Sequence, residues 1–432
     1  MNNMDSARAY KFRLYPDAKR QTEINLRLTL SKEFYNLLLE KSIKSYKGGN
    51  RRISIATLNR FAKEIEEEKK YLQIYSQTRC EIKYRVLKAY QNFFRRVREK
   101  RSGKKINAGF PRFKSKDRYY SIVYPQDNGS FAIEKERKTN MLRVSRIGRM
   151  KICMHRNIKG MIKTLTIKKE AGKYYAIFTT IKETEPFMIK DTNPVGMDLG
   201  LNSFIALSDG TKAEKPKFVE NAGKHIAKWQ RRIARRRKGS KRRESAKLRL
   251  QKKWEHTSNQ SNDFAHKLSD KLADSGYTSF AVEELHIQNM VKNHNLAQSI
   301  QNASWNRFIQ MLSYKAESAG MKVIKVDAKN TTQECSNCRY IKIGSERLGL
   351  EDRTYHCNIC GLTLDRDINA SMNILNRALN SESSNFDSFA VKATLGQRGS
   401  HAQGESVRPQ QEAVLEELRT DKTHPLRDAV IA

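Results

Sequence analysis

Residues 195–210 read VGMDLGLNSFIALSDG. Val195-Gly196-Met197 and Phe204-Ile205-Ala206-Leu207 are apolar runs of strand length, and the segment between them predicts two buried strands joined by a tight turn. The first run closes on Asp198. A carboxylate in a buried strand loses its hydration, so Asp198 either forms the turn or is kept there by a function. Two further apolar runs follow, FAVEELHI at 280–287 and MKVIKVDA at 321–328, with a helical segment, SWNRFIQMLSYKAESAG at 304–320, between them. Here too a strand runs into acids: Glu283 and Glu284 point to opposite faces, and spacing alone does not say which points inward. Downstream, LDRDINASMNIL at 364–375 opens a helix, and either Asp365 or Asp367 suits its N-cap.

An acid on a first strand, an acid on a later strand and an acid at a helix start, all in a basic chain, form the order that an RNase H-like fold uses. There three carboxylates converge on two Mg²⁺ ions about 3.5–4 Å apart and activate water against a phosphodiester. Oxygen donors of this kind suit Mg²⁺ or Mn²⁺ rather than zinc. Zinc has its own candidate site. Cys335-Ser-Asn-Cys338 and Cys357-Asn-Ile-Cys360 are two C-x₂-C knuckles, separated by enough chain for a hairpin to bring four thiolates together in a tetrahedral ribbon. With four sulfurs on the metal no position stays open for water, so this zinc is expected to fold the module and not to catalyse. Cys80 and Cys153 stand alone and read as inert thiols.

The 432 residues carry 84 Lys and Arg against 46 Asp and Glu, a net charge of +38. Like charge at that density repels itself, which excludes an ordinary metabolic enzyme and points to a polyanionic partner, nucleic acid. The charge is uneven. Residues 224–253 hold 15 Lys or Arg and a single acid, Glu244, whereas 380–432 hold 6 basic and 8 acidic residues and are expected to be a disordered tail. The basic block predicts a pair of helices that track a phosphate backbone, broken at Gly239–Ser240, with Arg231, Arg232, Arg235 and Arg236 as contacts. No run of 18 or more apolar residues exists to span a bilayer, and the start of the chain has no secretory pattern, so no membrane is expected and the protein is placed in the cytoplasm.

In the first half, RAYKFRLY at 8–15 alternates bulky and basic residues as a strand with one cationic face, ended by Pro16. Helical spacing then runs from about Ala18 to Arg101, interrupted at Gly48-Gly49. Six short β-like runs between 121 and 182 suggest a small barrel or sandwich into which the first strand pairs across the helical insertion. Residues 110–125 interleave aromatics and cations, and Arg112, Lys114, Tyr119 and Tyr120 are candidates for nucleic-acid contacts; aromatics over a core would give the same pattern. Asn293-His294-Asn295 echoes an HNH nuclease, but nothing nearby supplies the rest of such a site, and no phosphate loop supports ATP-driven strand opening.

Taken together, AYKFRLYP, FFRR followed by PRFKSK, VGMDLGLNSFIALSDG, VEELHIQNM, the paired knuckles and LDRDINASMNIL resemble the TnpB family, transposon-encoded RNA-guided nucleases related to the type V CRISPR effectors. The resemblance runs from about residue 8 to 379, with the motifs in the family's order. It implies an α/β multidomain protein: a wedge β-barrel domain (1–20 and 105–190), a helical recognition lobe (21–104), an RNase H-like, RuvC-like nuclease domain (191–330 and 362–379) and an inserted zinc ribbon (331–361). It also implies Asp198, Glu283 and Asp367 as the catalytic acids on two Mg²⁺, with Asp365 a cap and Glu284 facing away. Two positions depart from the pattern: Arg339 where many relatives have Gly, and Ser371 where Ala is usual.

The resemblance further implies a guide RNA, a short transposon-adjacent motif read in duplex DNA, and cleavage of both strands of target double-stranded DNA, with one chain per RNA favoured. Gln77, Lys83 and Arg85, on one predicted helix, are the candidates for reading that motif. Two rivals use the same residues differently: a nuclease-inactive RNA-guided repressor, and a transposase or recombinase that rejoins strands.

Overall fold

A computed structural model of the chain describes residues 4–49, 52–115, 118–136, 139–184, 193–200, 203–285, 304–349 and 351–392. The Asn293-His294-Asn295 motif and residues 393–432 lie outside them. Two compact units divide at Thr184/Glu185.

The first unit is built on β1 (Met4–Tyr15), whose alternation buries Tyr10, Phe12 and Leu14 and leaves Lys11 and Tyr15 exposed. Asp17 follows Pro16 and caps α1 (Ala18–Lys47) by accepting the Arg20 N–H. After the Gly48-Gly49 break come α2 (Ile55–Glu66), capped by Ser54, a 3-10 turn at Lys69–Gln73, and α3 (Ser76–Arg101). Six strands then complete an antiparallel sheet: β2 (Ser121–Tyr124), β3 (Phe131–Glu136), β4 (Thr139–Val144), β5 (Gly148–Cys153), β6 (Met161–Glu170) and β7 (Lys173–Thr184). In the order β2-β6-β7-β1-β5-β4-β3, β1 is central, so the helices are an insertion between a strand and its partners, as the sequence predicts.

The expected barrel takes the form of a curled sheet. Its edges, β2 and β3, share no ladder. Seven flat strands would separate those edges by about 29 Å, yet seven Cα steps from Tyr124 to Phe131 reach at most about 25 Å. The sheet therefore has to curl, and the Tyr124 hydroxyl donates to the Ser145 carbonyl beyond β4 at 2.9 Å.

The second unit holds a five-stranded sheet ordered β10-β9-β8-β11-β12. Its strands are β8 (Pro194–Asp198), β9 (Ser203–Leu207), β10 (Lys212–Glu214), β11 (Ser279–Glu283) and β12 (Lys322–Val326). β9 runs antiparallel to its neighbours β8 and β10, while β8, β11 and β12 run parallel. Both faces are covered, which is why these strands read as continuous apolar runs. One face packs Val195, Met197, Phe204 and Phe280 with Phe308 and Leu312 of α6 (Trp305–Ser318). The other, at Ala281 and Val326, meets Ile374 and Ala378 of α7 (Arg366–Lys392). Gly196 is required there: a Cβ would stand 2.0 Å from the Ser371 carbonyl of α7.

The basic block forms α4 (Phe218–Ala234) and α5 (Lys241–Ala273), with Gly239 at φ 84 and Ser240 as the α5 N-cap, the break its sequence predicts. A hairpin of β13 (Thr354–His356) and β14 (Thr363–Asp365) carries the second knuckle. The helix α7 continues to Lys392, beyond residue 379, so the expectation of disorder from 380 onward is corrected for its first turns. Among the described residues no helix is long and apolar enough to cross a membrane.

Candidate active site and metal centre

Parallel pairing brings two acids level. Val282 of β11 lies opposite Met197 of β8, so Glu283 and Asp198, the next residues, end neighbouring strands side by side. The third acid comes from α7, which is pressed on β8 where Ser371 meets Gly196; Asp367 lies four residues earlier, one turn back on the same face. Its Oδ2 is 3.9 Å from where a Cβ on Gly200 would stand. Asp198 is only 8% exposed. Burial, followed by the charges of Glu283 and Asp367, pushes its carboxyl well above the ordinary carboxylate range. Burial also raises Glu283, against the Thr331 hydroxyl that donates to its Oε1 and the charge of Arg377. No Lys or Arg pairs with Asp198, Glu283 or Asp367 among the described residues.

The neighbouring acids are otherwise engaged. Asp365 Oδ1 accepts the N–H groups of Asp367 and Ile368 at 2.9 and 3.2 Å and pairs with Lys212 at 2.6 Å, which makes it the N-cap. Glu284 is exposed.

The four cysteines meet as thiols. Sγ of Cys335 lies 3.6 Å from that of Cys360, and Cys338 3.5 Å from Cys357, and all four sulfurs fall within 4.8 Å of one another. These separations are far beyond a disulfide at about 2.05 Å and match the edges, about 3.8 Å, of a tetrahedron with metal–sulfur bonds of about 2.3 Å. The Leu362 backbone N–H favours the thiolate at Cys360, drawing its pKa down to about 6. Cys335 and Cys357 are buried, while Cys338 and Cys360 are exposed. Arg339, the departure from Gly, sits at φ 66, a conformation glycine adopts without strain.

The nucleic-acid candidates fare unevenly. Tyr119 is corrected to a core residue: it is 7% exposed, packed on Tyr35 and under the Arg85 guanidinium, with no free face for a base. Tyr120 is half-buried. Arg85 is further occupied by Glu81 at 3.6 Å, Lys83 donates to Asn59, and Gln77 is half-buried in the first turn of α3. Arg112 and Lys114 are exposed on a segment fixed to α1 by two bonds between Asn36 and the Lys114 backbone. Arg231, Arg232 and Arg235 are exposed, and Trp229 is flanked by Arg232 and Arg249 at 4.7 and 5.1 Å from its ring. Arg236 instead donates to the Arg242 carbonyl.

One buried group escapes the sequence reading. Asn369, Asn373 and Arg377 lie at four-residue steps on α7 and bind the segment between β12 and the first knuckle. The periodic Asn-Asn-Arg stripe beside Ala370, Ile374 and Ala378 was the available signal.

Residues 179–294 match the OrfB_IS605 family model, described as a probable transposase, and residues 305–374 match the TNB domain of Cas12f1-like proteins. A protein of Streptomyces pristinaespiralis named "Putative RNA-guided DNA endonuclease" is 27% identical, over 97% of this chain and 96% of its own. InsQ of Escherichia coli strain K12, which bears the same name, is 24% identical over 86% of this chain and 92% of its own. Cas12f1 of Sulfoacidibacillus thermotolerans, a CRISPR-associated endodeoxyribonuclease, is 41% identical over 17% of each chain. A cryo-EM structure of a Cas12f1–sgRNA–target DNA complex shares the fold, with a TM-score of 0.57 at 12% identity over 86% of this chain and 99% of that one. Both family models match in sequence order and relatives align over nearly their whole length, so the chain is similar to the OrfB_IS605 proteins, and its residues 305–374 to the Cas12f1-like TNB domain.

Proposed function

We propose that this chain is an RNA-guided DNA endonuclease whose RNase H-like, RuvC-like site is Asp198, Glu283 and Asp367. The observation that carries the reading is buried Asp198 beside half-buried Glu283 at the ends of adjacent parallel strands, without an ion pair among the described residues, in a chain of net charge +38. A fold with cations to spare leaves such a pair unneutralised only if something else neutralises it, because buried like charges destabilise it. Three hard carboxylates fit Mg²⁺ or Mn²⁺. Two such cations, when bound, would supply a hydroxide nucleophile and stabilise the leaving 3′ oxygen.

The chain's own part is placement. Strand pairing sets Asp198 against Glu283, the α7 contact at Gly196 sets the distance of Asp367, and the Asp365 cap fixes where α7 begins. The four thiols hold a structural zinc with no open position. The curled sheet and its helical insertion serve as wedge and recognition lobe, and the exposed arginines of α4 and α5 follow the backbone of guide RNA or heteroduplex. Base pairing then supplies sequence information, and the protein reads the transposon-adjacent motif.

The test is to sequence the RNA that copurifies with the expressed protein, supply a plasmid carrying the matching target, and add Mg²⁺. Cut ends are expected. Protection without cutting would mean a repressor, joined products a recombinase, and the absence of any discrete RNA would overturn RNA guidance.

A further inference from the structure

We propose that Thr331 is a positioning residue that fixes the Glu283 carboxylate and so ties divalent-cation binding at the acids to the segment that leads into the cysteine ribbon. The proposal rests on the nuclease reading above. Thr331 is 2% exposed, and its hydroxyl donates to Glu283 Oε1. A hydroxyl has one proton, and the other acceptor in reach, the Ala328 carbonyl, lies at 3.3 Å.

Thr331 is itself held. Its carbonyl accepts from Asn373 Nδ2 at 2.9 Å, and the same amide donates to the Glu334 carbonyl at 2.7 Å. Asn369 Nδ2 reaches that carbonyl at 2.8 Å, while Asn369 Oδ1 accepts the backbone N–H of Ser336, inside the first knuckle, at 2.9 Å. Arg377 donates to the carbonyls of Asp327 and Lys329 and to the Glu334 carboxylate. Both asparagines are fully buried. Segment 327–336 is thus bonded to three residues of α7, the helix that begins with Asp367, and through Thr331 to Glu283. Two acids from distant parts of the chain take their relative position from one frame. Apolar side chains could glue the segment to α7, but they could not orient a carboxylate. A satisfied buried polar network specifies a single geometry, and outer partners of metal ligands commonly govern affinity.

The test compares Thr331→Val, which keeps the shape and removes the donor, with Thr331→Ser, which keeps the donor. Bound Mn²⁺ is counted by electron paramagnetic resonance on the RNA-loaded complex, and a D198N/D367N variant subtracts cations held by the RNA. Zinc content and the Mg²⁺ dependence of cleavage are measured alongside. Thr331→Val is expected to weaken Mn²⁺ binding and to raise the Mg²⁺ needed for half-maximal cleavage by about tenfold, with zinc unchanged, and Thr331→Ser to restore both. Wild-type Mn²⁺ affinity in Thr331→Val would overturn the proposal alone. Zinc lost together with Mn²⁺ would overturn it too, by reducing Thr331 to a ribbon support. A wild-type complex with no Mn²⁺ above the D198N/D367N control would remove the nuclease reading, and the proposal with it.

Discussion

The two units treat partly and fully buried acids in opposite ways. In the first, burial raises the Glu170 carboxyl, but Lys168 and Lys11 outweigh it and hold the pKa at about 2. Glu134 is likewise drawn down, first by its hydrogen bond from Arg149 and also by Arg143. In the second, Asp198 is more deeply buried and forms no ion pair among the described residues; burial and the charges of Glu283 and Asp367 outweigh the weaker pull of Arg366, and its pKa moves up. Cations are plentiful in both halves of the chain. On the proposed function, the contrast separates an acid that holds a fold together from one that the fold holds ready for a ligand.

The largest effect concerns a third kind of cluster. Structural zinc in small ribbons contributes about 10–16 kcal/mol of apparent binding free energy. Cys357→Ser is expected to lose the metal and the order of the ribbon, read as zinc content by mass spectrometry and as new protease sensitivity between residues 331 and 361. Retained zinc in that variant would break the four-thiolate assignment.

Next comes Asp198→Asn, which should lower the cleavage rate by several kcal/mol of transition-state stabilisation, about 10³-fold. The same variant should melt at a higher temperature than wild type in cation-free buffer at neutral pH. An acid whose folded pKa is raised costs nothing below its ordinary value, near 3.8, and weakens the fold as pH rises from there through the raised value. Added Mg²⁺ should erase the difference. A lower melting temperature for the variant would contradict the comparison.

Glu170 has the opposite sign. A carboxyl at about 2 against an ordinary 4.5 contributes about 3 kcal/mol of stability at neutral pH, lost as pH falls from about 4.5 through 2. Denaturant unfolding of Glu170→Gln should show that deficit at pH 7 and converge on wild type near pH 2. The smallest effect is on the basic helices. Arg232→Ala should reduce the slope of log affinity against log salt by about 0.9 if that side chain neutralises one duplex phosphate, without moving either melting curve.

Much of this was legible in the sequence where local pattern decides. The alternation of β1, the break at Gly239-Ser240 and the spacing of the four cysteines each predict what the structure contains. The remainder depends on contacts distant in sequence. Glu283 and Glu284 are indistinguishable until β11 is paired with β8, and Asp365 and Asp367 until Lys212 and the first N–H groups of α7 occupy one of them. Tyr119 has the same neighbours in sequence whether it stacks on a base or fills a core; only its packing on Tyr35 decides. Gly196 reads as an ordinary strand residue, and its need for a missing Cβ comes from Ser371, far along the chain. Thr331 carries no local signal at all.

The central claim is that Asp198, Glu283 and Asp367 act as one cutting site, with the neighbouring acids outside it. It is tested most directly by single-turnover cleavage of a matched target in Mg²⁺ by Asp198→Ala beside Glu284→Ala, both loaded with the copurified RNA and checked for DNA binding. Binding by both variants is expected, with cutting by Glu284→Ala at the wild-type rate and none by Asp198→Ala; Mg²⁺-dependent cutting by Asp198→Ala at the wild-type rate would contradict the account.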